Sequence, residues 1–261
     1  KEEARQFDAM FDGKNKKNKA GVVGTDYQLQ AMQTFNQIPV EDRWPKLKDP
    51  AKIFKLITDK LEMIGLDYEL LLRQPGETRV SDEMCDKVFN GATFESVIEG
   101  CEDHASLGSF QARWLIEAMP PIITSDHLDS RGVANEPTVQ KVNAFVKTLE
   151  TTNQAMLKSM CKLLNAFGEK HDTKKLAIAV CITPRLILRN LPDFTSIEGN
   201  IDKQMALADE INRIATKDNE LIAYMAEHYD AIFSDVVDVD VDEAAVSPPT
   251  SPAVTEFMED D

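Results

Sequence analysis

Apolar residues recur along most of this chain at the three- and four-residue spacing of amphipathic helices. Asp49-Pro50 opens the first helix, with a capping carboxylate followed by a proline whose missing N–H costs nothing in a first turn. Ile53, Leu56, Ile57, Leu61 and Ile64 then fall on one face, and Gly65 ends the run. A second helix is expected from Ser81, with Met84, Cys85, Val88 and Phe89 inward, ending at Asn90-Gly91. A short one covers Phe94 to Ile98, and a long one runs from His104 to Ala118 and stops at Met119-Pro120-Pro121. Further stripes predict helices over Thr138–Leu149 and Asn153–Phe167. Leu176–Ile182 is apolar nearly all round, which predicts a buried helix ended by Pro184. Asp202–Ala215 and Asn219–Phe233 complete an all-α array. No segment reads as a convincing strand, and no fixed period suggests a solenoid.

This pattern divides the chain into three. Residues 1–48 form an N-terminal extension, partly helical, with a short helix expected over Tyr27–Phe35. Residues 49–233 form the helical domain. Residues 234–261 form an acidic tail, expected to be disordered: its Val/Asp alternation carries too much charge to pack, and Ser-Pro-Pro-Thr-Ser-Pro cannot continue a regular element. The chain opens with Lys-Glu-Glu rather than Met, which points to a piece of a longer protein.

Charge narrows the partners. The formal net charge is −16, and nine acidic residues with no basic ones lie in the tail. One basic run, Lys14 to Lys19, reads as a solvated segment. An acidic chain with no basic stripe is a poor ligand for nucleic acid. No stretch approaches the roughly 18 apolar residues of a membrane span, and no signal-peptide pattern opens the chain. The four cysteines and four histidines are scattered. That spacing suits neither a disulfide framework nor a metal site, and it fits a reducing compartment.

No phosphate loop, dinucleotide fingerprint or nucleophile elbow is present. Without a nucleophile, metal set or phosphate loop, a helical array reads as a binding or regulatory module, with no cofactor. One residue stands apart. Arg73 ends the run Leu70-Leu71-Leu72 and is followed by the stiff turn Gln74-Pro75-Gly76. An arginine held on a rigid turn can project its charge into another protein's active site; equally, it can lay its stem on the core and leave its head in water.

The residues around Arg73 resemble a known signature. Gly65-Leu66-x-x-Glu69-x-Leu71-Leu72-Arg73-x-x-Gly76 is similar to the G-L-x-x-E-G-I-F-R-x-S-G motif of the RhoGAP domain. Ala112-Arg113-Trp114-Leu115-Ile116-Glu117-Ala118-Met119-Pro120 resembles that family's L-K-x-F-L-R-E-L-P. Asn153-x-x-x-Leu157 resembles N-x-x-x-L, Ile178 to Leu186 resembles L-A-V-C-L-A-P-S-L, and His228-Tyr229-Asp230-Ala231-Ile232-Phe233 resembles N-Y-D-x-I-F. Five segments in the right order over residues 49–233 make a joint signal that none makes alone.

The resemblance implies a RhoGAP-like helical bundle that docks on a GTP-bound Rho-family small GTPase and supplies Arg73 as a catalytic arginine in trans. It implies a cytoplasmic location, with recruitment to membrane or cytoskeleton by parts outside this chain. It also places Glu69, Arg113, Glu117, Ala177 and Pro184 at the GTPase interface. Three departures stand out. The family lysine falls on Arg113, the family arginine on Glu117, and the family asparagine on Ala177. In addition, Leu70 replaces the glycine before the finger, and Pro75 the serine after it. Retention of Arg73 favours the activator; Glu117, Ala177 and Leu70 favour an alternative, a catalytically weak or inactive RhoGAP-like module that binds a small GTPase or another partner as a scaffold.

Overall fold

The computed structural model describes Trp44 and residues 49–172, 176, 182–189 and 201–237. The expected short helix over Tyr27–Phe35, the basic run, Ala177, Cys181 and the tail beyond residue 237 lie outside the described residues.

The order of elements is α1 (Pro50–Gly65), α2 (Thr78–Phe89), α3 (Phe94–Glu99), α4 (His104–Ala118), β1 (Ile123–Thr124), α5 (Ser125–Arg131), α6 (Val139–Val146), α7 (Thr151–Lys170), α8 (Thr183–Leu186), β2 (Ile187–Leu188), α9 (Ile201–Glu227) and α10 (Tyr229–Phe233). Helix α1 starts where its cap demands: the Asp49 carboxylate accepts the Lys52 N–H at 3.0 Å, with Pro50 in the first turn. Its buried stripe of Ile53, Phe54, Ile57 and Leu61 packs chiefly against α7, which presents Met156, Leu157, Met160, Leu163, Leu164 and Phe167. Helix α4 is capped by Asp103, whose two oxygens accept from Ala105 at 3.3 Å and Ser106 at 2.9 Å. It ends at Met119, forced into extended backbone ahead of Pro120. With Phe110 and Trp114 fully buried, α4 packs against α1, α2 and α8.

Three expectations are corrected. Helix α2 begins at Thr78, three residues before Ser81. Ser81 is buried, and its hydroxyl donates back to the Thr78 carbonyl at 2.9 Å instead of capping a new helix. Pro184 lies in the first turn of α8, and most of the helix expected over Leu176–Ile182 lies outside the described residues. The two helices expected over Asp202–Ala215 and Asn219–Phe233 are one 27-residue helix, and the break comes at His228, before α10. The polar run around Asp218 lacks glycine and proline, and the Asp218 carboxylate is taken up by Arg189. Finally, a two-stranded parallel ladder joins Ile123 to Ile187 and Thr124 to Leu188. Strands of two residues leave no alternation to read.

Trp44 lies upstream of the expected boundary at residue 49 yet is buried. Its ring packs against Phe89, Phe94 and Phe110 at centroid distances of 5.0, 6.0 and 5.7 Å. At the other end of the bundle, Asn143 donates to the Ile232 carbonyl and Lys158 to the Val236 carbonyl, which docks α10 on α6 and α7.

Arg189 ties β2 to α9 and α5. It bonds Asp218, whose side chain is 5% exposed, and Asp129, whose side chain is 72% exposed. Hydrogen bonding by Asp218 raises the guanidinium's pKa against the opposing cost of burial. Breaking a buried pair leaves an uncompensated charge, whereas an exposed partner contributes little. Asp218→Ala is therefore expected to cost about 3 kcal/mol in a denaturant titration, and Asp129→Ala less than about 1 kcal/mol.

Candidate functional site

The segment between α1 and α2 carries Arg73 and is held at both ends. At its start, the Tyr68 N–H bonds the Gly65 carbonyl at 3.0 Å, and the His171 ring nitrogen Nε2 lies 2.7 Å from the Leu66 carbonyl, in donating position when it carries the proton. Lys170 pairs with Asp67; that hydrogen bond and the ammonium charge hold the Asp67 carboxyl below its usual range. The Tyr68 ring stacks on His104 with centroids 3.8 Å apart. At its end, the Gly76 N–H donates to Ser109 Oγ at 3.0 Å. A Cβ on Gly76 would lie 2.2 Å from the Ser106 nitrogen and 2.3 Å from its Cα, so this loop rests directly on the backbone of α4.

Between these anchors Leu71 is buried, and its Cδ1 lies 2.6 Å from where a Cβ on Gly65 would stand. Leu72 is half-buried, its Cδ2 3.5 Å from where a Cβ on Gly108 would stand. Leu72 also has φ of 64°, in the left-handed region, at a cost of about 1–2 kcal/mol for an L-residue. The Leu70 carbonyl then accepts both the Arg73 N–H at 2.9 Å and the Gln74 N–H at 3.0 Å, closing a tight turn. Arg73 is exposed, and among the described residues its guanidinium has neither a hydrogen bond nor an ion pair. The loop is fixed while the charge it carries points outward.

The other residues singled out in the sequence distribute around α4. Ser106, Ser109, Arg113 and Glu117 form one stripe along this helix, at spacings of three and four. The residues that seat the Arg73 loop are therefore one to two turns from Arg113. Arg113 does not stand alone. Its Nε donates to Glu117 Oε1 at 2.8 Å and its Nη1 to Asp82 Oδ1 at 2.6 Å. Glu117 in turn accepts the Trp44 indole N–H on Oε2 at 2.9 Å. The two residues that the resemblance sets against a family lysine and arginine thus satisfy each other. Pro184 is half-buried on α8, which packs on α4. Glu69 is exposed on the Arg73 loop itself. Ala177 lies outside the described residues; its neighbour Leu176 is buried against Gly168 of α7.

Sequence reasoning missed several supports of this site. Leu72 carries no signal, because a left-handed residue is normally read from glycine or asparagine. Asp82 and Trp44 reach Arg113 and Glu117 only through the fold. His104 and His171 are far apart in the sequence and match no motif, yet both hold the Arg73 loop. Cys85, beside Arg113, is buried in the core, and that burial pushes its thiol up to about 12, away from the reactive thiolate. Among the described residues no group of His, Cys, Asp or Glu gathers to hold a metal, and no helix is long and apolar enough to cross a membrane.

The close approach at Gly76 gives a direct test. Gly76→Ala puts a methyl into the α4 backbone, which cannot move aside as a flexible side chain would. Thermal unfolding is expected to register a loss of about 1–3 kcal/mol.

Comparison with known proteins points one way. A family model described as the RhoGAP domain matches residues 51–190, which include Arg73, Arg113, Glu117, Ala177 and Pro184. The crystal structure of the BH domain from GRAF, the GTPase regulator associated with focal adhesion kinase, superposes with a TM-score of 0.53 at 18% identity, covering 73% of this chain and 98% of that one. Human Rho GTPase activating protein 15 superposes with a TM-score of 0.50 at 17% identity, covering 69% of this chain and 82% of that one. Identities this low speak for the fold alone. No curated protein matches the chain significantly.

Proposed function

The chain belongs to the RhoGAP family, and from that premise we propose that it stimulates GTP hydrolysis by a GTP-bound Rho-family small GTPase through Arg73. The observation that carries this reading is an exposed arginine with no ion pair or hydrogen bond among the described residues, on a loop fixed on both sides. A guanidinium stays charged at any physiological pH and can donate to two oxygens at once. Set beside the β- and γ-phosphates, it would stabilise the charge that develops as the phosphoryl group transfers. The rest of the loop has little freedom to lose on docking, so binding energy need not be spent on ordering it. Glu69 on the same loop, Arg113 and Glu117 on α4, Pro184 on α8 and Ala177 complete the proposed GTPase-facing surface.

One observation favours a second reading. The Arg113 guanidinium is engaged by Asp82 and Glu117, so charge that the family presents as a lysine is largely neutralised inside the domain here. A module with this feature would bind a small GTPase, or another partner, without accelerating hydrolysis.

Single-turnover GTP hydrolysis by a panel of Rho-family GTPases separates the two. With saturating domain, the first reading expects acceleration that Arg73→Ala lowers by roughly a factor of 10³, with binding to the GTP form retained. Binding without acceleration by the unmodified domain would instead establish the second.

A further inference from the structure

Leu72 is, among the described residues, the only non-glycine with a positive φ. It stands next to the one residue on which the proposed function turns. Asparagine and aspartate tolerate this conformation because their short polar side chains bond the local backbone. Leucine has no such group, so its surroundings must impose the conformation.

They can be named. Leu71 is locked in the core beside Gly65, and Leu72 packs over the space that Gly108 leaves open on α4. Two consecutive leucines therefore both reach the protein, which extended backbone, with its alternating side chains, would not allow. The left-handed turn at Leu72 resolves this and releases the next residue, Arg73, to solvent. Downstream, the paired bonds from the Arg73 and Gln74 N–H groups to the Leu70 carbonyl and the seat of Gly76 on Ser106 leave the backbone nowhere to relax. Strain of this kind persists only where neighbouring contacts over-determine it, and it gathers at functional sites.

We propose that Leu72 is a positioning residue: its packing on Gly108 holds the left-handed backbone that fixes the direction of Arg73. This inference rests on the reading of Arg73 as the arginine supplied in trans, and it assigns that arginine's aim to the residue before it.

The test compares Leu72→Gly, Leu72→Ala and Leu72→Met with the unmodified domain. Glycine accepts the backbone without strain but removes the packing, alanine keeps the strain and loses the packing, and methionine keeps a similar volume. Single-turnover hydrolysis at saturating domain should fall roughly tenfold to a hundredfold for the glycine and alanine variants. Their affinity for a GTPase loaded with a non-hydrolysable GTP analogue should change less than about threefold, because the exposed surface is unaltered. The methionine variant should retain most of the rate. Thermal unfolding should rank glycine above alanine, the reverse of an ordinary position.

Hydrogen exchange at the Arg73 and Gln74 amides should accelerate in the glycine variant without global destabilisation. This arm needs no GTPase. An unmodified domain that gives no acceleration would overturn the function proposed for Arg73, and exchange alone would then decide whether Leu72 fixes the loop. An unchanged maximal rate, a loss that follows affinity, alanine more stable than glycine, or unchanged exchange would each overturn the assignment to Leu72.

Discussion

The contact on which the site depends is the meeting of two backbones, Gly76 against Ser106 at the start of α4. No side chain lies between them, so the distance from loop to helix is set by hard-sphere packing. Everything upstream inherits that constraint. With Gly76 seated and Gly65 closing α1 against Leu71, the chain between them must turn within a fixed span, with two leucines inward and an arginine outward. The Asp103 cap, which starts α4 one turn ahead of Gly108 and Ser109, thereby helps fix where the arginine stands. Local helix chemistry and the geometry of the proposed site are one argument.

Helix α4 serves as the spine of that site. Its buried face carries Phe110 and Trp114 into the core, and its other stripe presents Ser106, Ser109, Arg113 and Glu117. Along this stripe, where the resemblance sets two family cations, the chain has a cation and an acid that bond each other. Asp82 on α2 and the Trp44 indole complete the set. The exchange costs no buried unpaired charge, which is why the fold tolerates it. It also changes what α4 can offer a docking partner, from two positive groups to a local network of one guanidinium and two carboxylates. In this chain Arg73 therefore carries more of the positive charge near the proposed interface than the family pattern implies.

Helix existence was legible in the sequence where periodicity ran for three turns or more, as in α1, α4 and α7. Boundaries failed where a polar residue had a use that spacing cannot reveal. Ser81 reads as the start of a helix but bonds back to Thr78, and Asp218 falls at an expected break but pairs with Arg189, about 100 Å of extended chain away. At the site, the position of Arg73 could be read because Gly65, Pro75 and Gly76 punctuate the chain around it. The left-handed Leu72 could not, because nothing in a run of leucines distinguishes the one whose backbone turns over. The pairing of Arg113 with Glu117 was available in principle, as residues four apart on a predicted helix. A motif is matched one position at a time, so two departures that satisfy each other look like two separate losses.

In the proposed function Arg73 stabilises charge arising only as GTP is hydrolysed. Such an interaction should strengthen from ground state to transition state. The direct measurement is the domain's affinity for a Rho-family GTPase loaded with GDP and aluminium fluoride, which mimics the transferring phosphoryl group. The comparison is with the same GTPase carrying a non-hydrolysable GTP analogue, for the unmodified domain and for Arg73→Ala. The unmodified domain is expected to bind the transition-state mimic more tightly, and the variant to show no such preference. Equal affinity for the two states by the unmodified domain, or a preference that survives Arg73→Ala, would contradict the proposed function.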